Sequence, residues 1–160
     1  MFLRPLIVRA PCCSIVWAGL IKILGYCYEN FAWTCTGWKI CATEAKVNSF
    51  AAGYGTILYF DDEALQKLFA SNFPTYAANF KTWADQANGM LQFAIWTALE
   101  EEGLGANLQH YNPIIDAEVK EVFNIPDQYR LIAQMPFGAK TAEPDEKEVI
   151  SGSDRMRILE

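Results

Sequence analysis

Histidine is nearly absent from this chain, which carries only His110 among 160 residues. One imidazole leaves few nitrogen ligands for a catalytic metal, and it confines any serine-type triad to the neighbourhood of that residue. No metal site is expected. Basic residues are also scarce: 13 lysines and arginines face 19 aspartates and glutamates, a formal charge of −6. A nucleic-acid partner is therefore excluded, because binding a phosphate backbone relies on a basic surface that displaces counterions. The phosphate-binding P-loop, the G-x-S-x-G elbow, the H-E-x-x-H zinc motif and the full dinucleotide fingerprint are all missing. Gly53-x-Gly55 and Gly103-x-Gly105 each lack the third glycine. The five cysteines (Cys12, Cys13, Cys27, Cys35 and Cys41) fit neither a zinc-knuckle spacing nor Cys-x-x-Cys, and an odd number suits a disulfide framework poorly. Reduced thiols in an intracellular protein are the expectation.

What is present is a chain about half apolar, long enough for one domain with its own core. Its first quarter is the least regular part. Arg4 and Arg9 precede an apolar run from Cys12 to Cys27, the arrangement of a signal or anchor segment. Lys22 interrupts that run, whereas ~20 uninterrupted apolar residues are needed to span a bilayer. Trp17, Leu20, Ile21 and Leu24 share one helical face, so a packed amphipathic helix is expected in preference to a membrane anchor. Residues 25–42 show no sustained period. Residues 1–42 are read as a divergent, partly helical segment ahead of a domain at 43–160.

From Gly53 onward the signals sharpen. Thr56 to Phe60 is a β-branched and aromatic run typical of a buried strand, and Asp61 or Asp62 is placed to cap a helix from Glu63 to Ala70 with Leu65, Leu68 and Phe69 inward. A long helix is expected from Lys81 to Glu101, with Trp83, Ala87, Met90, Leu91, Ala94 and Ala98 along one stripe and Phe93, Ile95, Trp96 and Leu99 filling much of the rest. Being apolar on most sides, it should be buried in a core or between subunits, with Trp83 and Trp96 in core packing. Gly89 within it suggests close approach of another backbone, and Gly103 a left-handed cap. The triplet Glu100, Glu101 and Glu102 reads as a solvated helix end. A short strand is expected over Ala106 to His110. A helix then opens at Asn112-Pro113, with Ile115, Val119, Val122 and Phe123 inward and Asp116 paired to Lys120, and it closes at Asn124 and Pro126. A strand follows from Tyr129 to Met135, ending at Pro136-Phe137-Gly138, and then a polar tail from Ala139 to Ser153 that should lie over the surface. Strands separated by helices describe an α/β or α+β sandwich.

The sharpest local feature is Gly103-Leu-Gly-Ala-Asn-Leu-Gln-His-Tyr-Asn-Pro113, where amide, imidazole and phenol groups sit between two helices. This phrase, together with GYGTILYFDD, FPTYAANFKTWADQANGMLQFAIWTALEEE and IPDQYRLIAQMPFG, resembles the nitroreductase-like family of the fungal fatty-acid-repression type and related bacterial flavin reductases. The resemblance runs in order from Thr43 to Gly138. It implies an α/β (α+β) sandwich with a central mixed sheet and a long buried helix in a homodimer. It also implies FMN held between subunits, with ping-pong transfer of hydride from NAD(P)H through the flavin to nitroaromatic, quinone or similar small-molecule acceptors. The flavin performs the chemistry and the protein positions and tunes it, so no side chain is assigned a catalytic role.

By position, Leu108, Gln109 and His110 match the family segment along the flavin ring. A structural or ring-contact role for His110 is preferred over proton transfer. Arg155 matches the basic residue that meets the flavin phosphate, with Lys147 and Arg157 as weaker candidates. The family's opening Arg-Arg-Ser/Thr and Thr-Pro-Ser-x-Phe-Asn-Ser-Gln segments do not occur, which suggests a truncated or altered N-terminus. The alternative is accordingly a flavin-free remnant that acts as a dimerising or regulatory module. A cytoplasmic, or also nuclear, enzyme linked to oxidative stress or lipid-responsive regulation is the broader expectation.

Overall fold

In the computed structural model, the described residues are 3–9, as backbone, and 45–158. Strand β1 (Leu3–Arg9) was not foreseen in a segment expected to be partly helical. The helix anticipated around Trp17 to Leu24 and the five cysteines lie outside the described residues. A helical stretch at 45–51 (α1) leads into β2 (Gly55–Asp62), α2 (Glu63–Asn72), a 3₁₀ turn (Pro74–Asn79) and the long α3 (Phe80–Glu101). Strand β3 (Leu104–Ala106), α4 (Asp116–Val122), β4 (Tyr129–Ala139) and the short α5 (Gly152–Arg155) complete the order. The strands lie β1-β2-β4-β3. Every strand pairing among the described residues is antiparallel.

Both faces of this sheet are covered, as an α/β sandwich requires. On one face Leu58, Phe60 and Leu131 pack with Val47 and Phe50 of α1 and Ile115 and Val119 of α4. On the other, Ile57, Tyr59, Ala133, Met135 and Phe137 receive Leu91, Ile95 and Leu99 of α3. A register shift between Tyr59 and Phe60 opposite β4 lets Leu131 serve the first core while Ala133 serves the second, the usual consequence of one extra residue in a strand. Tyr59 is fully buried, its hydroxyl 3.4 Å from the Met135 sulfur, and burial pushes its phenol pKa up to about 12. The turn before β2 touches the end of β4 backbone to backbone. A Cβ on Gly53 would sit 3.0 Å from the Phe137 carbonyl oxygen, and one on Gly138 3.1 Å from the Tyr54 nitrogen. Only glycine permits such an approach without displacement.

Asp62 caps α2: its Oδ1 accepts from the Ala64 and Leu65 N–H groups at 3.1 Å. Asp62→Ala is expected to lower stability by about 1 kcal/mol, read as a smaller urea midpoint with an unchanged slope. Leu68, expected inside, is half exposed. Gly103 takes φ 75 just beyond the α3 cap, as anticipated for a left-handed terminus. The phase of α3 differs from the expected stripe. Its sheet-facing side is Ala84, Asn88, Leu91, Gln92, Ile95 and Leu99, while Trp83, Met90 and Phe93 point outward with exposures of 45%, 67% and 74%. Trp96 is likewise exposed, so neither tryptophan is in the chain's own core. Nothing lies within 4 Å of a Cβ built on Gly89, so the backbone approach expected there does not occur among the described residues. At the helix end Glu100 pairs with Lys140.

Helix α4 begins three residues later than anticipated. Asn112 does not cap it, because its amide donates to Asp116 Oδ1 and to the Leu131 carbonyl, both at 2.9 Å. The Asn112–Pro113 peptide is cis. Val122 is exposed, and Lys120 bonds the Asp127 carbonyl rather than Asp116. The expected stop holds, with Asn124 at φ 50 just past the helix. Residues 139–158 are exposed, as expected of the polar tail.

Candidate functional site

The segment 107–112 runs along β4 beyond the end of β3, so the expected strand from Ala106 to His110 is shorter and lies earlier, at Leu104–Ala106. Beyond it only Gln109 forms a bridge, to Gln134. The pairing is alternate. Asn107 N donates to the Pro136 carbonyl at 3.0 Å, Gln109 N to the Gln134 carbonyl at 2.7 Å, and Tyr111 N to Gln134 Oε1 at 2.9 Å. In an extended chain, alternate backbone groups point to opposite sides. The Leu108 and His110 N–H groups therefore face away from β4, where no described residue accepts from them.

Leu108 lays its side chain against the second core, and Gln109 is part-buried. The Gln109 amide donates to Asn107 Oδ1 and to the Leu108 carbonyl, a local bridge that holds it along the segment. His110 is exposed. The result is a narrow ledge with backbone donors on its outer edge, an amide beside them and an apolar wall behind. Such a ledge suits the acceptor-rich edge of a planar ring.

Beneath it lies a polar cluster that sequence reasoning did not single out. Gln134 is fully buried, and besides its three contacts to Gln109 and Tyr111 its Nε2 donates to Asn112 Oδ1 at 3.0 Å. Its only sequence signal was one amide inside the otherwise apolar strand from Leu131 to Phe137. Burial raises the pKa of Asp116, against the opposing hydrogen bond from Asn112 and the charges of Lys120 and Arg130. Burial likewise raises the pKa of Tyr111.

A second polar group ties four elements at the opposite end of the β2–β4 pair. The Arg130 guanidinium lies 3.1 Å from Asp61, 2.9 Å from Asp85 and 3.3 Å from Glu63, and Gln66 also bonds Asp61. Asp61 is buried, and desolvation raises its pKa although Arg130 pulls it down. Burial disfavours the Arg130 cation, but its bonds to Asp85 and Asp61 prevail and raise its pKa. These residues form a structural knot rather than part of the ledge.

The remaining sequence candidates lie apart. Lys147 and Arg155 are exposed in the tail, and neither side chain makes a hydrogen bond or ion pair among the described residues; Arg157 is exposed as well. The structure thus brings Leu108, Gln109 and His110 together and does not join the basic residues to them by any polar contact. Among the described residues no cluster of histidine, cysteine and acidic groups suits a metal, and no helix is long and apolar enough to cross a membrane.

A family model described as the nitroreductase family matches residues 34–139. Two Saccharomyces cerevisiae proteins are similar. The putative nitroreductase HBN1 is 39% identical over 97 residues, 61% of this chain and 49% of its own length. The nitroreductase FRM2 is 40% identical over 98 residues, 61% of this chain and 50% of its own. The chain spans about half the length of these curated relatives. Among solved structures, nitroreductase CinD from Lactococcus lactis, in complex with nicotinic acid, superposes with a TM-score of 0.88 at 36% identity, over 99% of this chain and 78% of that one. CinD has also been solved with chloramphenicol and with 4-nitrophenol. The family model covers well over half the chain and takes in the ledge, both strands beneath it and the long helix, and this chain therefore belongs to the nitroreductase family.

Proposed function

We propose that this protein is a flavin-dependent oxidoreductase that uses FMN, takes electrons from NAD(P)H and reduces nitroaromatic, quinone or similar small acceptors. The observation that carries this reading is the 107–112 ledge, which presents the Leu108 and His110 N–H groups along one edge, while the Gln109 amide, bonded to Asn107 Oδ1 and the Leu108 carbonyl, braces the segment between them. These donors fit the acceptor edge of a flavin ring, and the apolar wall at Leu108 suits its flat face. When bound, FMN supplies the hydride chemistry. The ledge would orient the ring and favour negative charge on its polar edge, since fixed donors in a sheltered site need no reorganisation as charge grows. Arg155, with Lys147 and Arg157 as lesser candidates, would meet the phosphate as a charge-assisted donor. The chloramphenicol and 4-nitrophenol complexes of CinD favour aromatic acceptors.

The same proposal includes a homodimer through the exposed side of α3, no nucleic-acid or membrane partner, and residence in the cytoplasm or nucleus with a role in oxidative stress or lipid-responsive regulation. A second reading, a flavin-free dimerising or regulatory module, is favoured by one observation: Trp83, Met90 and Phe93 leave a large apolar surface exposed on α3. Absorbance decides between them. Protein incubated with FMN and desalted is expected to stay yellow and to bleach on addition of NADH or NADPH, with recovery on addition of 4-nitrophenol. A colourless protein that leaves FMN fluorescence unquenched would overturn the flavin reading.

A further inference from the structure

Gln134 makes four hydrogen bonds to the segment that carries the ledge, from a position with no exposure at all. Two are ordinary backbone pairing with Gln109: donation to the Gln109 carbonyl at 2.9 Å and acceptance from its N–H at 2.7 Å. The other two come from the side chain, which reaches on to Tyr111 N and Asn112 Oδ1. The side-chain amide thus stands where the next rung of a β-ladder would be. It extends the pairing beyond Gln109 without a further backbone partner. Asn112 continues the chain of bonds to Asp116 and back to the Leu131 carbonyl, so the network that starts at the Gln134 amide is returned to β4 and α4.

We propose that Gln134 is a positioning residue for the candidate flavin edge. Its buried amide holds Tyr111 and Asn112 against β4, and this fixes the direction of the intervening His110 N–H and of the neighbouring Leu108 N–H. The proposal rests on the flavin reading above for what the ledge binds, and on the apolar surroundings of Gln134 for why the contact is rigid. Leu58 lies opposite Gln134 in β2, and Leu131, Ile115 and Val119 form the core on that side. A lost amide bond there has no water to replace it.

Two measurements separate the clamp from the cofactor. Gln134→Met keeps the volume and removes both side-chain bonds, whereas Gln134→Glu keeps an acceptor for Tyr111 N–H. In flavin-free protein, hydrogen exchange at the Tyr111 amide is expected to accelerate about tenfold or more in Gln134→Met and much less in Gln134→Glu. In the same proteins FMN affinity, read by fluorescence quenching, is expected to fall about tenfold or more in Gln134→Met, with partial recovery in Gln134→Glu. Should Gln134→Met fail to fold, Asn112→Ala, which removes the far anchor of the amide, supplies the same readings with smaller changes in the same direction. Unchanged exchange at Tyr111 overturns the clamp. Faster exchange with unchanged FMN affinity overturns its role in positioning the edge. Wild-type protein that binds no FMN overturns the functional reading and the cofactor half of this proposal with it, and the exchange rates then decide the clamp by themselves.

Discussion

Replacement of Arg130 by methionine is expected to lower the free energy of unfolding by about 3 kcal/mol or more at neutral pH, because it strands the buried Asp61 carboxylate. Asp61 has a side-chain exposure of 1%, and its described charge partner is Arg130 at 3.1 Å. Its Oδ1 already lacks a partner among the described residues. Burial raises the Asp61 pKa, the bond and charge of Arg130 lower it, and Asp85 and Glu63 add to the rise. Without Arg130 the carboxyl moves further up. A carboxyl that holds its proton to higher pH in the native state favours folding in acid. That contribution is fully present below the ordinary carboxylate value and is lost as pH rises through the raised one. The deficit of Arg130→Met should accordingly narrow as the solution is taken from about pH 8 to about pH 5. Urea titrations at both ends measure it. A loss below about 1 kcal/mol, or one independent of pH, would show that Asp61 finds solvent or another partner. Asp61→Asn in the same background should flatten the difference, since an amide does not titrate.

The second large effect concerns association. Phe93→Glu is expected to weaken self-association by about 30-fold or more, the consequence of losing one central apolar anchor. Phe93 is 74% exposed and Met90 67%, on the side of α3 turned away from the sheet, with Trp83 also exposed nearer the start of the helix. A cluster of large apolar side chains on one face of a helix marks an interaction surface more often than a solvated one. The substitution also places a charge where the partner's apolar surface would desolvate it. Because Phe93 is outside both cores, unfolding of the isolated chain should change by no more than about 0.5 kcal/mol. Sedimentation over a dilution series reads the effect. Wild-type protein that is monomeric throughout, or a variant with the same dissociation constant, would remove the dimer from the proposed function.

Most of the candidate ledge is legible in the order of its residues. Gln109 and His110 stand out because amide and imidazole groups cluster between a glycine-capped helix and a proline, and the family resemblance places the same residues along a ring. Gln134 is not legible in the same way. One amide in an apolar strand reads as an interruption, and its importance depends on which chain segment crosses beside it, a contact between residues more than twenty positions apart. Lys147 and Arg155 show the reverse. Their positive charge is plain in the sequence, but the described structure holds neither side chain by any polar contact.

Residue order alone places β2, α2, α3 and the start of β4, but not β1, β3 or the first turn of α4. Thr56 to Phe60 reads as a strand because it joins β-branched Thr56 and Ile57 to the bulky apolar Leu58, Tyr59 and Phe60, Asp62 can stop and restart the chain through two N–H groups, and Gly103 can take the left-handed turn at no steric cost. Which side of the long helix meets the sheet was decided only by tertiary structure. With Trp83, Met90, Phe93, Leu91, Ile95 and Leu99 distributed around α3, the period of 3.6 is clear while its phase is not, for apolar residues ring the helix and two surfaces compete for them. Packing against Tyr59 and Met135 selects one side and leaves the other open. The same holds for Asp61 and Asp62: both are equally fit to cap α2 on paper, and only the approach of Arg130 from β4 claims the first and leaves the second to the helix.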